Sequence, residues 1–321
     1  MGIWWSIVAL LLVLLPLTYI GVQYWLRLGR MQKKGGNNAV HKPHPAVWKD
    51  EEVTVTWIGH ATVLINFFGT KILTDPVLGE RIGIHVGAGI QMGPKRITPA
   101  ALSIEEVGEI DLVLLSHAHM DHLDYPTLDK ILHKEIEVVI PSGIDKLLRR
   151  YKFASIRQLQ HHEKVACADG ITVTAIPVRH WGERFPWSRN LGYQGYVLEK
   201  RGVRLFFAGD TAYTPTFGAL QAEGAIDVAF MPIGAYSPDS YQRNHCTPEQ
   251  AWEMFKHIGA RWMVPIHHST FILSQEPVEE PLERLYAIAG SEVDRIKVHK
   301  QGEVFTIPAK DAGLKQKMGE Q

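Results

Sequence analysis

The chain has 321 residues, 45% hydrophobic and 21% charged, enough for one large domain or two small ones with a substantial core and too apolar for disorder. Its 34 Lys and Arg balance 34 Asp and Glu, so no global field favours polyanions, which argues against a sequence-independent nucleic-acid binder. Two cysteines, Cys167 and Cys246, outside any C-x-x-C pair, exclude a disulfide framework. The 16 histidines stand outside the charge balance.

No charged residue occurs from Ile3 to Leu26. As a helix that stretch reaches about 36 Å, against a hydrocarbon core of about 30 Å. Trp4 and Trp5 at one end and Tyr19, Tyr24 and Trp25 at the other suit interfacial belts. A cleaved secretory signal would need a basic start and a small-residue cleavage site, and neither is present. The expectation is a single-pass membrane anchor with basic flank over residues 1–34. Arg27, Arg30, Lys33 and Lys34 follow the span and place the bulk of the chain on the cytoplasmic side. Gly35-Gly36-Asn37-Asn38 opens a linker over 35–49, the main domain covers 50–310, and 311–321 is a polar tail.

Val53 to Ile58, Ala61 to Phe67 and Lys71 to Thr74 are short β-branched runs separated by Gly59 and Gly69, the pattern of an antiparallel meander. Gly79 to Arg96, with five glycines, reads as a loop beside the site. Continuous apolar strands then alternate with helical patterns at Tyr125 to His133, Ile144 to Tyr151 and Pro248 to Ile258, predicting a mixed sheet covered by helices. Four strands end on metal-ligand chemistry: Leu112 to Ser116 before His117, Val173 to Val178 before His180, Arg204 to Ala208 before Asp210, and Trp262 to Ile266 before His267. Such strand ends are where α/β sheets build sites.

The segment Ser116-His117-Ala118-His119-Met120-Asp121-His122 holds four ligand-capable side chains. Imidazole and carboxylate suit Zn²⁺, with Mn²⁺ or Fe²⁺ as alternatives. A single buried histidine is usually a satisfied core residue. Four at this spacing, with three more ligands at strand ends, are a metal pattern. No G-x-S-x-G and no Walker loop is present to supply a protein nucleophile or a phosphate cradle.

The His-x-His-x-Asp-His string, a distant His, Gly209-Asp210-Thr211 and a final His resemble the metallo-β-lactamase superfamily. Thr56-Trp57-Ile58-Gly59-His60-Ala61-Thr62, Leu73-Thr74-Asp75-Pro76, Met92-Gly93-Pro94-Lys95-Arg96, Asp121 to Tyr125, Phe206 to Thr211, Pro232 to Tyr236 and Ile266-His267 extend the likeness to its N-acyl-phosphatidylethanolamine-hydrolysing phospholipase D branch, over about residues 50 to 307. The resemblance implies an αββα sandwich with two zinc ions or other divalent transition metals. It implies His117, His119 and His180 on one metal, Asp121, His122 and His267 on the other, and Asp210 between them. His268 competes with His267 and is otherwise a supporting or outward-facing residue. Asp121 and His245 are implied in catalysis, His245 through a substrate phosphate contact or leaving-group protonation, with simple loop packing as its alternative. His60, Asp75 and Asp124 are expected to buttress the ligands, with a structural turn role as the alternative for His60, and Lys95 and Arg96 to meet an anionic headgroup or else to form a solvated surface. Trp181, Phe185, Pro186 and Trp187 form an acyl-chain wall or else belong to the core.

Two cations sharing a carboxylate activate water near neutral pH and neutralise phosphodiester oxygens. The expected function is therefore a membrane-anchored phosphodiesterase acting on a phospholipid, hydrolysing N-acyl-phosphatidylethanolamine to phosphatidic acid and N-acylethanolamine. The alternatives are a metal-dependent lactonase or other ester hydrolase, and a non-catalytic membrane scaffold.

Overall fold

The computed structural model describes residues 12, 14–16, 18, 19, 41–85, 91–131 and 135–308. The chain divides into two compact units, Met1–Asn37 and Asn38–Gln321. Of the expected anchor, Leu12, Leu14, Leu15, Pro16, Thr18 and Tyr19 are helical. The rest of that span, its basic flank, Gly35 to Asn38 and the tail 311–321 lie outside the described residues. Among the described residues no helix is long and apolar enough to cross a membrane.

From His41 onward the expected linker is docked rather than loose. The His41 backbone N–H donates to the Gln301 carbonyl at 2.9 Å, Pro43 and Pro45 are buried, and Trp48 packs against the outer core.

The larger unit is a two-sheet sandwich. The meander forms as the sequence predicts, with β1 (Val53–Gly59), β2 (Thr62–Phe67) and β3 (Thr70–Thr74) antiparallel. The glycine-rich loop contains a short hairpin, β4 (Ile84–His85) with β5 (Gln91–Met92). Then β6 (Leu112–Leu114), β7 (Glu137–Pro141) and β8 (Ser155–Leu159) add parallel to β3. The second sheet holds β9 (Lys164–Ala166), β10 (Thr172–Ile176), β11 (Gly195–Lys200), β12 (Val203–Phe207), β13 (Val228–Pro232) and β14 (Trp262–Ile266). The last three are parallel. β15 (Val304–Thr306) returns to the first sheet beside β1.

Alternation in β1 sends Val53, Val55 and Trp57 into the space between the sheets, where they meet Leu205, Phe207, Phe230 and Val264 of the second sheet. The outer faces are apolar too, because helices cover both. Leu64, Leu73, Val113 and Val138 pack under the helices around Ile104 and Leu128, while Phe206, Ala229 and Met231 meet Trp252, Phe255 and Leu285. That double burial explains why the strands read as continuous apolar runs. Two helices are shorter than their periodicity predicts, Tyr125–Lys130 and Asp145–Leu148. Pro248–Ile258 has the predicted bounds, set by a Thr247/Gln250 capping box and by Gly259 in the left-handed conformation.

Candidate metal centre

β10 and β12 are each antiparallel to β11 and therefore share a direction, and β14 runs parallel to β12 through β13. Their C-terminal ends deliver His180, Asp210 and His267 to one rim, where the loop after β6 brings His117, His119, Asp121 and His122.

His117 Nε2 lies 2.8 Å and His180 Nε2 3.3 Å from His119 Nδ1. Hydrogen bonds to the opposite ring nitrogens fix which atoms face inward. His180 Nδ1 donates to the Asn244 carbonyl at 2.9 Å. His117 Nδ1 donates to Ser116 Oγ at 2.9 Å, whose hydroxyl donates to Asp75 Oδ2 at 2.5 Å. Both rings thereby turn Nε2 toward the cluster, as metal-ligating histidines require. The second group contains His60, Asp121, His122 and His267. His122 Nδ1 donates to Asp75 Oδ2 at 2.7 Å. Its Nε2 stands 3.6 Å from Asp121 Oδ2 and 3.2 Å from Asp210 Oδ2. His267 Nε2 stands 3.6 and 3.1 Å from the same two oxygens. Asp210 Oδ2 is also 3.8 Å from His180 Nε2, and so lies between the two groups.

This donor set fits divalent metal ions. His122 Nε2 and His267 Nε2, the atoms that face Asp121 and Asp210, are buried with no hydrogen-bond partner among the described residues. Within each group the ligand atoms lie within 4.8 Å of one another. Buried polar atoms left without a partner are costly, and a bound cation would satisfy them.

Burial holds the His117 and His180 pKa values well below the ordinary range and lowers His119 to about 4. His122 and His267 are buried as well, yet the carboxylates of Asp210 and Asp121 outweigh desolvation. His122 is held well above its ordinary value and His267 is raised to about 9. Burial would raise the Asp121 and Asp210 carboxyls, but His122 and its neighbours hold both well below the ordinary range.

Asp75 is fully buried and accepts from the Ser116 backbone N–H at 2.7 Å as well as from Ser116 Oγ and His122, so it supports ligands from behind. His60 Nε2 donates to Asp121 Oδ2 at 3.0 Å. His60 and His267 both adopt positive φ, 56° and 61°, a conformation that costs about 1–3 kcal/mol per residue. The His267 backbone N–H donates to the His60 carbonyl, and the His60 N–H to Thr270 Oγ1, both at 2.8 Å. Asp124 caps the helix Tyr125–Lys130 through the Thr127 N–H. His245 joins the cluster, its Nδ1 3.7 Å from Asp210 Oδ2. His268 turns away, stacking on Trp57 at 4.4 Å with Nδ1 on Ser269 Oγ.

The two basic residues expected at a headgroup are placed otherwise. Arg96 is buried, donating to the Gly79 and Val77 carbonyls and lying 4.9 Å from the Phe271 ring centroid. Lys95 is exposed and pairs with Glu80 at 3.6 Å. A cation spaced correctly in sequence can serve backbone carbonyls instead of a ligand, and only the chain path reveals which. Trp181 packs on His119 and His180 at 4.4 and 4.3 Å. It lines a mouth of about 340 Å³ together with Arg184, Tyr241, His245 and Leu273. Phe185 and Trp187 stack on each other at 5.0 Å, and Trp187 is 75% exposed, so it is not core.

Sequence reasoning missed Ser116, Asn244, Thr270 and Arg184. Ser116 carried a signal in directly preceding His117. The other three act through contacts that no spacing encodes.

A family model described as "Beta-lactamase superfamily domain" matches residues 70–268. N-acyl-phosphatidylethanolamine-hydrolyzing phospholipase D 1 of Caenorhabditis elegans is 30% identical over 254 residues, 74% of this chain and 70% of its own. An uncharacterized protein of Mycobacterium tuberculosis is 31% identical over 257 residues, 78% of this chain and 68% of its own. A metallo hydrolase from the archaeon Ignicoccus hospitalis shares the fold, with a TM-score of 0.60 at 20% identity over 80% of this chain and 99% of that one. An isothiocyanate hydrolase from Delia radicum gut bacteria shares it with a TM-score of 0.61 at 20% identity, over 78% of this chain and 98% of that one. Together with the histidine and aspartate cluster at the sheet rim, the match places the chain in the metallo-β-lactamase superfamily, as a metal-dependent hydrolase with phospholipases D of the N-acyl-phosphatidylethanolamine type among its relatives.

Proposed function

We propose that the chain is a binuclear-metal phosphodiesterase of the phospholipase D type, hydrolysing N-acyl-phosphatidylethanolamine to phosphatidic acid and N-acylethanolamine at a membrane. The observation that carries the binuclear reading is Asp210 Oδ2, 3.2 and 3.1 Å from the nitrogens of one group and 3.8 Å from His180 of the other. His117, His119 and His180 would hold one zinc or similar ion, Asp121, His122 and His267 the second, and Asp210 both. Bound cations would supply a nucleophilic oxygen near neutral pH and charge for the phosphoryl oxygens.

The chain's own residues then have distinct tasks. His60 holds Asp121 in orientation, and Asp75 holds His122 directly and His117 through Ser116. Burial lowers His245 to about 4, so at neutral pH its ring is uncharged. It serves as a hydrogen-bond partner for a substrate phosphate oxygen rather than as a proton donor to the leaving group. Trp181 at the mouth, with Phe185 and Trp187 on the adjoining loop, offers apolar surface for acyl chains. The uncharged stretch Ile3 to Leu26 supports a single-pass anchor with the hydrolase domain on the cytoplasmic side.

The test is headgroup release by the full chain from N-acyl-phosphatidylethanolamine, with bis-p-nitrophenyl phosphate and acyl lactones in parallel, with and without chelator. Chelator-sensitive phosphodiester turnover is the expected result. Lactone turnover without phosphodiester turnover would assign the site to carbonyl chemistry, and turnover that survives complete metal removal would overturn the metal mechanism. Membrane fractions washed with alkaline carbonate should retain the chain, and its release would remove the anchor.

A further inference from the structure

We propose that Arg184 is a positioning residue that holds the ligand-bearing loop in its metal-binding shape and joins it to the segment carrying His180. Arg184 Nη1 donates to two carbonyls, Ala118 at 2.9 Å and Leu123 at 2.7 Å. Ala118 lies between His117 and His119, and Leu123 directly follows His122. One nitrogen therefore pins both ends of a stretch that bears three of the seven candidate ligands, His119, Asp121 and His122, with His117 directly before it. The guanidinium lies 4.6 Å from the ring centroid of Tyr125, the first residue of the helix after that stretch, which fixes its plane against the helix start.

The placement is one that surface packing does not require. Arg184 Nε is buried without a hydrogen-bond partner among the described residues, and the bonds Arg184 does make go to neutral carbonyls. A cation taken partly out of water and left with an unmet donor is retained where its geometry is needed. Arg184 also stands four residues after His180, whose Nε2 must meet the nitrogens of the 117–122 loop. The segment between them is tightly seated, since a Cβ at Gly182 would come within 2.1 Å of the Leu191 carbonyl oxygen. The clamp thus sets the distance between ligands supplied by two separate loops. A supporting contact of this kind changes metal affinity about 10–100-fold in comparable sites.

The inference rests on metal occupying the cluster described above, and the experiment separates the two. Zinc affinity of the full chain is measured by competition with a chromophoric chelator for wild type, Arg184→Ala and Arg184→Lys, with thermal unfolding of each protein after metal removal. Arg184→Ala is expected to weaken zinc about 10–100-fold, and Arg184→Lys, which keeps the charge and one donor direction, to recover part of that loss. The three metal-free proteins are expected to unfold within a few degrees of one another. Wild type that binds no zinc would defeat the metal reading itself. Zinc affinity equal in all three proteins, or a loss matched by collapse of the metal-free fold in both variants, would overturn the positioning role. Should Arg184→Ala fail to fold, an affinity for Arg184→Lys equal to wild type would overturn it as well.

Discussion

Asp210 is the residue on which the two halves of the site depend, because its Oδ2 is the oxygen within reach of His122, His267 and His180 together. Asp210→Asn keeps the shape and removes the charge. It is expected to lower activity by at least about 100-fold and to leave fewer bound metals per chain by elemental analysis; full activity with an unchanged metal content would refute the bridging position. The raised imidazoles have a consequence of their own. Desolvation opposes protonation of His267, and the carboxylates of Asp210 and Asp121 outweigh it, so the metal-free ring stays charged up to about pH 9. A ligand must be neutral to bind metal. Zinc affinity should therefore rise with pH up to at least about 9, with protons released on loading. Calorimetry in buffers of different ionisation enthalpy would measure that release; none at pH 7.5 would contradict it. The cue at this scale was partly legible. His267 and His268 are adjacent and chemically equal in sequence, and separating them needs the strand exit, which sends one ring into the cluster and the other onto Trp57.

The helix Pro248–Ile258 shows how an element near the mouth is held. Thr247 caps its start, and Arg284 of the helix Glu280–Ala289 forks onto both Glu249 oxygens at 2.8 and 2.7 Å. Partial burial would raise the Glu249 carboxyl, and the Arg284 bonds outweigh it, leaving it below the ordinary 4.5. With the folded value depressed, the pair stabilises above about pH 4.5 and loses that stabilisation as pH falls through the folded value. Both side chains are more than a third exposed, so Arg284→Ala is expected to cost only ~0.5 kcal/mol at pH 7 and less at pH 3. Urea unfolding at the two pH values checks this, and an equal cost at both would sink it. Elements with strong local signals were read correctly: this helix carries its own cap, proline start and glycine stop, and the meander carries β-branched runs between glycines. The hairpin Ile84–His85 with Gln91–Met92 was read as loop because each strand has two residues, too few for any periodicity. The helices after Asp124 and Ile144 stop early because apolar residues beyond them serve the outer core without helical geometry.

At the scale of the whole molecule, two sheets are locked by side chains that fill the space between them. Phe230 of β13 is fully buried there beside Phe207 and Val264. Phe230→Ala should cost about 3–5 kcal/mol, read as a lower urea midpoint with unchanged slope. A loss under about 1 kcal/mol would mean that the sandwich interior does not carry the fold. By itself the sequence determined the opening meander, that four strands end on ligand chemistry, and that the candidate metal ligands are imidazoles and carboxylates. These are local properties, set by alternation, by turn residues and by the few residues at each strand's exit. Only the tertiary structure decided which nitrogen of each ring faces inward, that Arg184 clamps the ligand loop while Arg96 serves backbone carbonyls, and that His245 stands beside Asp210 rather than packing in its loop. Those outcomes depend on residues far apart in sequence meeting across two sheets, and the register of the sheets, which no single segment contains, fixes where they meet.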